Sequence, residues 1–161
     1  MTLPPENEWP PWMLLAAKDI GVRELPGVAV HARIAEFYKH AHDVPDASND
    51  DEVSWCAAAM SCWLDEAGYL SPNTGRARRF LGWGEPIAKP RFGCVAVFSR
   101  GNPSGKQGHV ALYCQTGSPG HLLVLGGNQR NSVRYTEYET ARLLGYRWPR
   151  EQDRLLDKLT V

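Results

Sequence analysis

The hydrophobic pattern changes its period about halfway along the chain, and this change restricts the fold more than any other feature of the sequence. The first half has helical spacing, with one helix expected from Pro11 to near Gly21 and another ending near Gly68. We expect Ser54 to cap the second of these at its N-terminus. Between them, a further predicted helix carries one apolar stripe made of Val30, Ile34, Phe37 and Tyr38. A short helix is expected within residues 73–84.

The second half consists of short β-branched or aromatic runs separated by Gly, Pro, Asn and Ser. The runs are GCVAVFSR, GHVALYCQ, HLLVLGGN, SVRYTEY and LGYRWP. Such runs are typical of antiparallel strands joined by hairpins. Helices followed by strands predict an α+β fold, in which N-terminal helices pack on one face of an antiparallel β-sheet of about five strands.

The length of 161 residues predicts a single domain spanning residues 1–161. Residues 1–10 form a Pro-rich lead-in, which we expect Trp9 and Trp12 to attach to the body of the domain. Residues 150–161 form a C-terminal tail that favours a helical turn or two.

The amino-acid composition restricts the classes of partner that the protein is expected to bind. The 18 basic and 18 acidic residues balance, so nothing favours nucleic acid or an acidic membrane as a partner. The N-terminus lacks the pattern of a secretory signal and no apolar run is long enough to span a bilayer, which predicts synthesis in the cytoplasm without a signal peptide and no membrane insertion. The four cysteines lack the spacing of a zinc site, so we expect free thiols, no metal and no cofactor.

One hairpin can be aligned from its turn. If the chain turns about Ser118 and Pro119, then His109 lies opposite Asn128 at the same end of two adjacent strands, and Cys114 lies opposite Leu123. The glycines at 126 and 127 leave open a bulge that would shift the register by one residue.

This alignment gives a cysteine in the chain a possible catalytic partner. Cys56 lies in the first turn of its predicted helix, where the helix dipole and unpaired N–H groups favour a thiolate, whereas Cys62 has no such position and is expected to pack. A cysteine nucleophile needs a base and a group that orients the base, and His109 with Asn128 supplies both. The alternative stays open, because a cysteine in a helix is more often a core residue than a catalyst.

The motifs WCAAAM, GHVALY, VLGGNQRNSV and LGYRWP together resemble the NlpC/P60 and CHAP superfamily of cysteine peptidases and amidases, in the branch found in phage lysins and cell-wall-degrading toxins. The similarity extends over residues 12–149. It implies a papain-like fold and hydrolysis of amide bonds in peptidoglycan, with Cys56 as nucleophile, His109 as base and Asn128 as the third polar group. Many CHAP members have a glutamate where this chain has Gly126, so either Asn128 or Gln129 must orient the histidine. Where relatives often have Gly-Asp before the first strand, this chain has Gly-Cys at 93–94.

The resulting hypothesis is a peptidoglycan endopeptidase or N-acetylmuramoyl-L-alanine amidase that acts on the cell wall in the periplasm after secretion, injection or lysis. An antibacterial effector, for instance of a type VI secretion system, would need an immunity protein as a partner, whereas an endolysin would not. The alternative is a non-catalytic module that binds cell wall or protein and retains the fold. The substrate-binding residues are not assigned. The basic cluster of Arg76, Arg78 and Arg79 is better explained as a solvated helix face than as a site for carboxylates of a peptide stem. Trp55 and Trp83 could line a groove, but packing explains them equally well.

Overall fold

The computed structural model describes residues 2–27, 30–44 and 55–155. Within these ranges the chain forms three α-helices, α1 (Pro11–Lys18), α2 (Ala32–Tyr38) and α3 (Cys56–Glu66), and a 3-10 helix at Ala77–Gly82. Six strands follow: β1 (Glu85–Ile87), β2 (Val95–Ser99), β3 (Gly108–Thr116), β4 (His121–Gln129), β5 (Ser132–Glu139) and β6 (Leu143–Trp148). The protein is therefore an α+β domain with helices before strands, as the change of period predicts.

The helix boundaries follow local chemistry. Proline occupies the first position of α1, where its missing N–H costs nothing, and Gly68 adopts a φ of 88° just beyond the end of α3. The predicted apolar stripe is only partly correct: Ile34 and Phe37 are buried, but Val30 is 49% exposed and precedes α2. The helix starts later than expected because the His31 side chain caps it by accepting a hydrogen bond from the Arg33 N–H. Ser54, the predicted cap of α3, lies outside the described residues.

The strands form one antiparallel sheet in the order β1-β6-β2-β3-β4-β5. All five predicted strands are confirmed. The sixth, β1, was missed because it is only three residues long, contains Pro86 and has no alternation of buried and exposed positions. Its place in the sheet comes from pairing with β6, where Glu85 lies opposite Trp148.

The helices cover one face of the sheet. Helix α3 packs against β3 and β4, and α1 and α2 pack against α3, so all residues from Cys56 to Leu64 are buried. Trp55 stacks on Phe37 of α2 with ring centroids 5.8 Å apart. A second, smaller apolar cluster lies on the other face of the sheet and includes Phe98, Ala111 and Val124. The predicted placement of the helices on one face is confirmed.

The lead-in is attached to the domain by its tryptophans, as predicted. The Trp12 indole N–H donates to the Gly93 carbonyl at 2.7 Å, and Trp9 packs against Phe92 with ring centroids 5.2 Å apart. The described part of the tail forms a 3-10 turn at Glu151–Asp153 and is attached by a backbone hydrogen bond from Leu155 to Gly68. Among the described residues, no helix has both the length and the apolar character required to cross a bilayer.

The β3–β4 hairpin turns where the sequence predicts, since the Ser118 carbonyl accepts a hydrogen bond from the His121 N–H at 2.8 Å. Leu112 lies opposite Leu125, in the predicted register. The predicted pairing of Cys114 with Leu123 is wrong, because a bulge after Tyr113 places Gln115 opposite Leu123 instead.

Candidate functional site

Cys56 is the first residue of α3, so its position at a helix N-terminus is confirmed. Trp55 precedes it as the N-cap residue, makes no side-chain capping bond, and accepts a backbone hydrogen bond from Ala59 at 2.9 Å. The Cys56 side chain belongs to the main core cluster and is 1% exposed. Because Cys56 is the first residue of α3, its side chain lies near the unpaired N–H groups and the positive end of the helix dipole.

Two consecutive glycines of β4 allow close contacts on both faces of the sheet, and the one at 127 brings the sheet close to helix α3. A Cβ added at Gly127 would lie 2.8 Å from a ring carbon of Trp55 and 3.0 Å from the Ala59 Cβ. At Gly126, on the opposite face, a Cβ would lie 2.9 Å from the Ala111 Cβ and 3.0 Å from Gln129 Oε1. The first turn of α3 and the Gln129 side chain therefore lie on opposite faces of strand β4. Only glycine fits at positions 126 and 127 without a clash.

His109 is held by Gln129. The imidazole is buried, and its Nε2 atom lies 2.8 Å from Gln129 Oε1. The side-chain amide nitrogen of Gln129 donates to the Arg134 carbonyl, an atom that only accepts. This contact assigns the orientation of the amide, so His109 Nε2 must carry the hydrogen and donate to Oε1. In the neutral imidazole, Nδ1 is then the basic nitrogen.

The predicted contact between His109 and Asn128 is not formed. Asn128 has a φ of 54°, and its side chain makes no hydrogen bond to any part of the chain that the structure describes. The pairing of β4 with β5 shifts by one residue between Gly126 and Gln129. This bulge adds one residue to the alternation of the strand, so Gln129 occupies the face that Asn128 would take in a regular strand. The alternative left open by the double glycine is therefore the arrangement observed.

Tyr138 of β5 has interactions with both candidate catalytic residues. Its ring is almost parallel to that of His109, with centroids 4.7 Å apart and an interplanar angle of 10°. Burial raises the pKa of Tyr138, Arg142 lowers it, and the charge of an ionised Cys56 raises it again. Burial, Glu24 and Cys56 together raise the pKa of Tyr38 to about 12. Cys56 therefore lies in the electrostatic neighbourhood of two phenols.

The backbone of Cys56 and the His109 side chain lie on opposite faces of the sheet. Val110 and Leu112, which alternate with His109 along β3, pack in the same core cluster as α3. The imidazole thus leaves the sheet on the other face, beside Phe98 and Tyr138. Cys56 lies in the helix layer, and Tyr138 interacts with both residues, by stacking on the His109 ring and electrostatically with Cys56.

The three remaining cysteines are buried packing residues. Cys62 donates a hydrogen bond to Glu66 Oε1 at 3.4 Å, and burial raises its pKa, in agreement with its predicted structural role. Burial also raises the pKa of Cys94 and that of Cys114 to about 12. All three thiols therefore remain protonated at neutral pH.

Four of the five other candidates from the sequence have side chains with structural partners, whereas Arg76 is exposed. Arg78 donates to the carbonyl groups of Asn102, Pro103 and Gln107 at 2.7–2.8 Å and so stabilises the loop between β2 and β3. Arg79 pairs with Asp43 at 3.0 Å, although its side chain is largely exposed. Both tryptophans are buried, and their indole N–H groups donate to Glu24 and to the Leu70 carbonyl. Among the described residues, no group of three or more His, Cys, Asp or Glu side chains is arranged to hold a metal ion.

No protein-family model matches the chain, and no curated protein matches it either. The assignment to the NlpC/P60 and CHAP superfamily therefore rests on the motifs of the sequence and stays a prediction.

Proposed function

We propose that the protein is a cysteine amidohydrolase of the papain-like NlpC/P60 type that cleaves amide bonds of peptidoglycan. Cys56 is the nucleophile, His109 the general base and Gln129 the group that orients the base. The observation that carries the proposal is the hydrogen bond from His109 to a glutamine that the Arg134 carbonyl itself fixes. A buried histidine held in one tautomer and a cysteine at a helix N-terminus are two of the features that thiol catalysis requires. The third is an imidazole within hydrogen-bond reach of the sulfur, which the proposal assigns to Nδ1 of His109.

In the proposed mechanism, His109 Nδ1 takes the proton of the Cys56 thiol and the thiolate attacks the amide carbonyl. The carbonyl oxygen becomes an oxyanion, to which the N–H groups at the start of α3 donate. The imidazolium then protonates the leaving amine, the carbon–nitrogen bond breaks and a thioester remains. Water, activated by His109, hydrolyses the thioester and restores the thiol. Throughout this cycle Gln129 accepts the hydrogen bond of Nε2–H.

Peptidoglycan as substrate is favoured by the motifs of the sequence. Two bonds fit the chemistry equally, the amide between the sugar and the peptide stem and an amide within the stem. An effector that is injected with a matching immunity protein and an endolysin released by lysis would both bring the enzyme to the cell wall.

The direct test is digestion of purified peptidoglycan by the wild type and by Cys56→Ala, with mass spectrometry of the released fragments. We expect loss of cleavage in Cys56→Ala, whereas Cys62→Ala, the matched control on the same helix, keeps cleavage after correction for its folded fraction. Fragment masses identify the bond. Undiminished cleavage by Cys56→Ala would refute the mechanism.

The near-complete burial of Cys56 and His109 favours a second candidate, a non-catalytic module that binds cell wall or protein. This candidate predicts that iodoacetamide does not modify Cys56 in the folded protein. It also predicts that Cys56→Ala pulls down insoluble peptidoglycan as well as the wild type does, with no soluble fragments from either.

A further inference from the structure

The hydrogen bond that His109 donates to Gln129 restrains only one atom of the imidazole ring. A ring held at Nε2 alone can still tilt and turn about that bond, which would move Nδ1 away from its target. A second contact is therefore needed to fix the plane of the imidazole. The parallel ring of Tyr138, 4.7 Å away with an interplanar angle of 10°, is such a contact.

Tyr138 is itself firmly placed. Phe98 packs against it with ring centroids 4.7 Å apart, and the Arg142 guanidinium carbon lies 5.0 Å from the centroid of its ring. The Arg142 Nε–H group donates to the Ser99 carbonyl at 3.0 Å, and Ser99 lies opposite Gly108, the residue before His109. These contacts connect Tyr138 to the same end of β2 and β3 that carries the histidine.

We propose that Tyr138 is a positioning residue of the candidate catalytic site, whose ring fixes the plane of the His109 imidazole. This inference rests on the proposed function of Cys56 and His109. A ring stacked face to face on the imidazole opposes its tilting, so the direction of Nδ1 stays fixed.

The experiment compares Tyr138→Leu, which removes the ring, with Tyr138→Phe, which keeps it. Tyr135→Leu is the matched control, because Tyr135 is a half-buried tyrosine of the same strand that packs with the helix-side core. Two quantities are measured as a function of pH: the rate of fragment release from purified peptidoglycan and the rate of Cys56 alkylation by iodoacetamide. Substrate concentration is varied so that kcat and KM are obtained separately.

We expect Tyr138→Leu to lower kcat about 10-fold with little change in KM, because the base is misplaced while the substrate still binds. Tyr138→Phe should restore kcat. Tyr135→Leu should leave kcat unchanged after correction for its folded fraction.

The inference is overturned if Tyr138→Leu keeps the kcat of the wild type, or if Tyr138→Phe is as impaired as Tyr138→Leu. If Tyr138→Leu does not fold, Tyr138→Met provides a non-aromatic side chain of greater length for the same comparison. Failure of the proposed function gives a different result: Cys56→Ala then cleaves as the wild type does, or Cys56 resists alkylation at every pH, and the role of Tyr138 is refuted with it.

Discussion

Replacing Gln129 with leucine removes the one side chain that the structure shows bonded to His109 Nε2. Leucine has a similar length but neither donates nor accepts, so the buried imidazole N–H and the Arg134 carbonyl both lose their partner. An unsatisfied buried donor costs about 1–3 kcal/mol. With a central cost of about 2 kcal/mol, a chain of this length should lose about 4–8 °C in Tm. Cleavage should fall about 100-fold or more, because the tautomer and direction of the base are no longer fixed.

Asn128→Ala is the matched control, one residue away on the same strand. Because the Asn128 side chain makes no hydrogen bond within the described residues, we expect its kcat to stay within about threefold of the wild type. Its stability should fall by about 1 kcal/mol, since alanine tolerates the left-handed φ of 54° less well than asparagine. Calorimetry and peptidoglycan digestion measure the two effects. A fully active Gln129→Leu beside an inactive Asn128→Ala would refute the assignment of the orienting role to Gln129.

Two further predictions follow from the close packing of the domain, one at the site and one in the core. Gly127→Ala places a Cβ 2.8 Å from the Trp55 ring. It should therefore destabilise the fold by about 1–3 kcal/mol in thermal unfolding and slow the alkylation of Cys56. Gly82→Ala is the control and should do neither, because a Cβ at Gly82 meets no atom within 4 Å. Because burial raises the pKa of Cys94 and Cys114 to about 12, the unfolded chain loses these protons at lower pH than the folded one. The free energy of unfolding should therefore fall as pH rises above about 8.5, by up to about 1.4 kcal/mol per pH unit for each thiol. If Cys114→Ala kept the full wild-type dependence of unfolding free energy on pH, the result would contradict this prediction.

Most of the fold could be predicted from the sequence, because its determinants are local. The period of the apolar residues distinguishes helix from strand, and Pro11 and Gly68 mark helix ends through their own backbone preferences. The same holds for the turn at Ser118 and Pro119. Strand β1 escaped prediction because a short edge strand containing Pro86 carries no such pattern, and its structure depends on pairing with β6.

The candidate site divides in the same way. The position of Cys56 at a helix start is a local property, and the sequence alone determines it. The presence of a polar partner for His109 at the end of β4 also follows from the hairpin turn.

Which residue becomes that partner was decided by the tertiary structure alone. The glycines at 126 and 127 signal that a bulge is possible, but the close approach of Trp55 and Ala59 to Gly127 and the shifted pairing with β5 show where it lies. One inserted residue reverses the alternation of a strand, so Gln129 and not Asn128 reaches the histidine. The stacking of Tyr138 on His109 joins residues 29 positions apart on strands that do not pair with each other, and no periodicity in the sequence encodes such a contact.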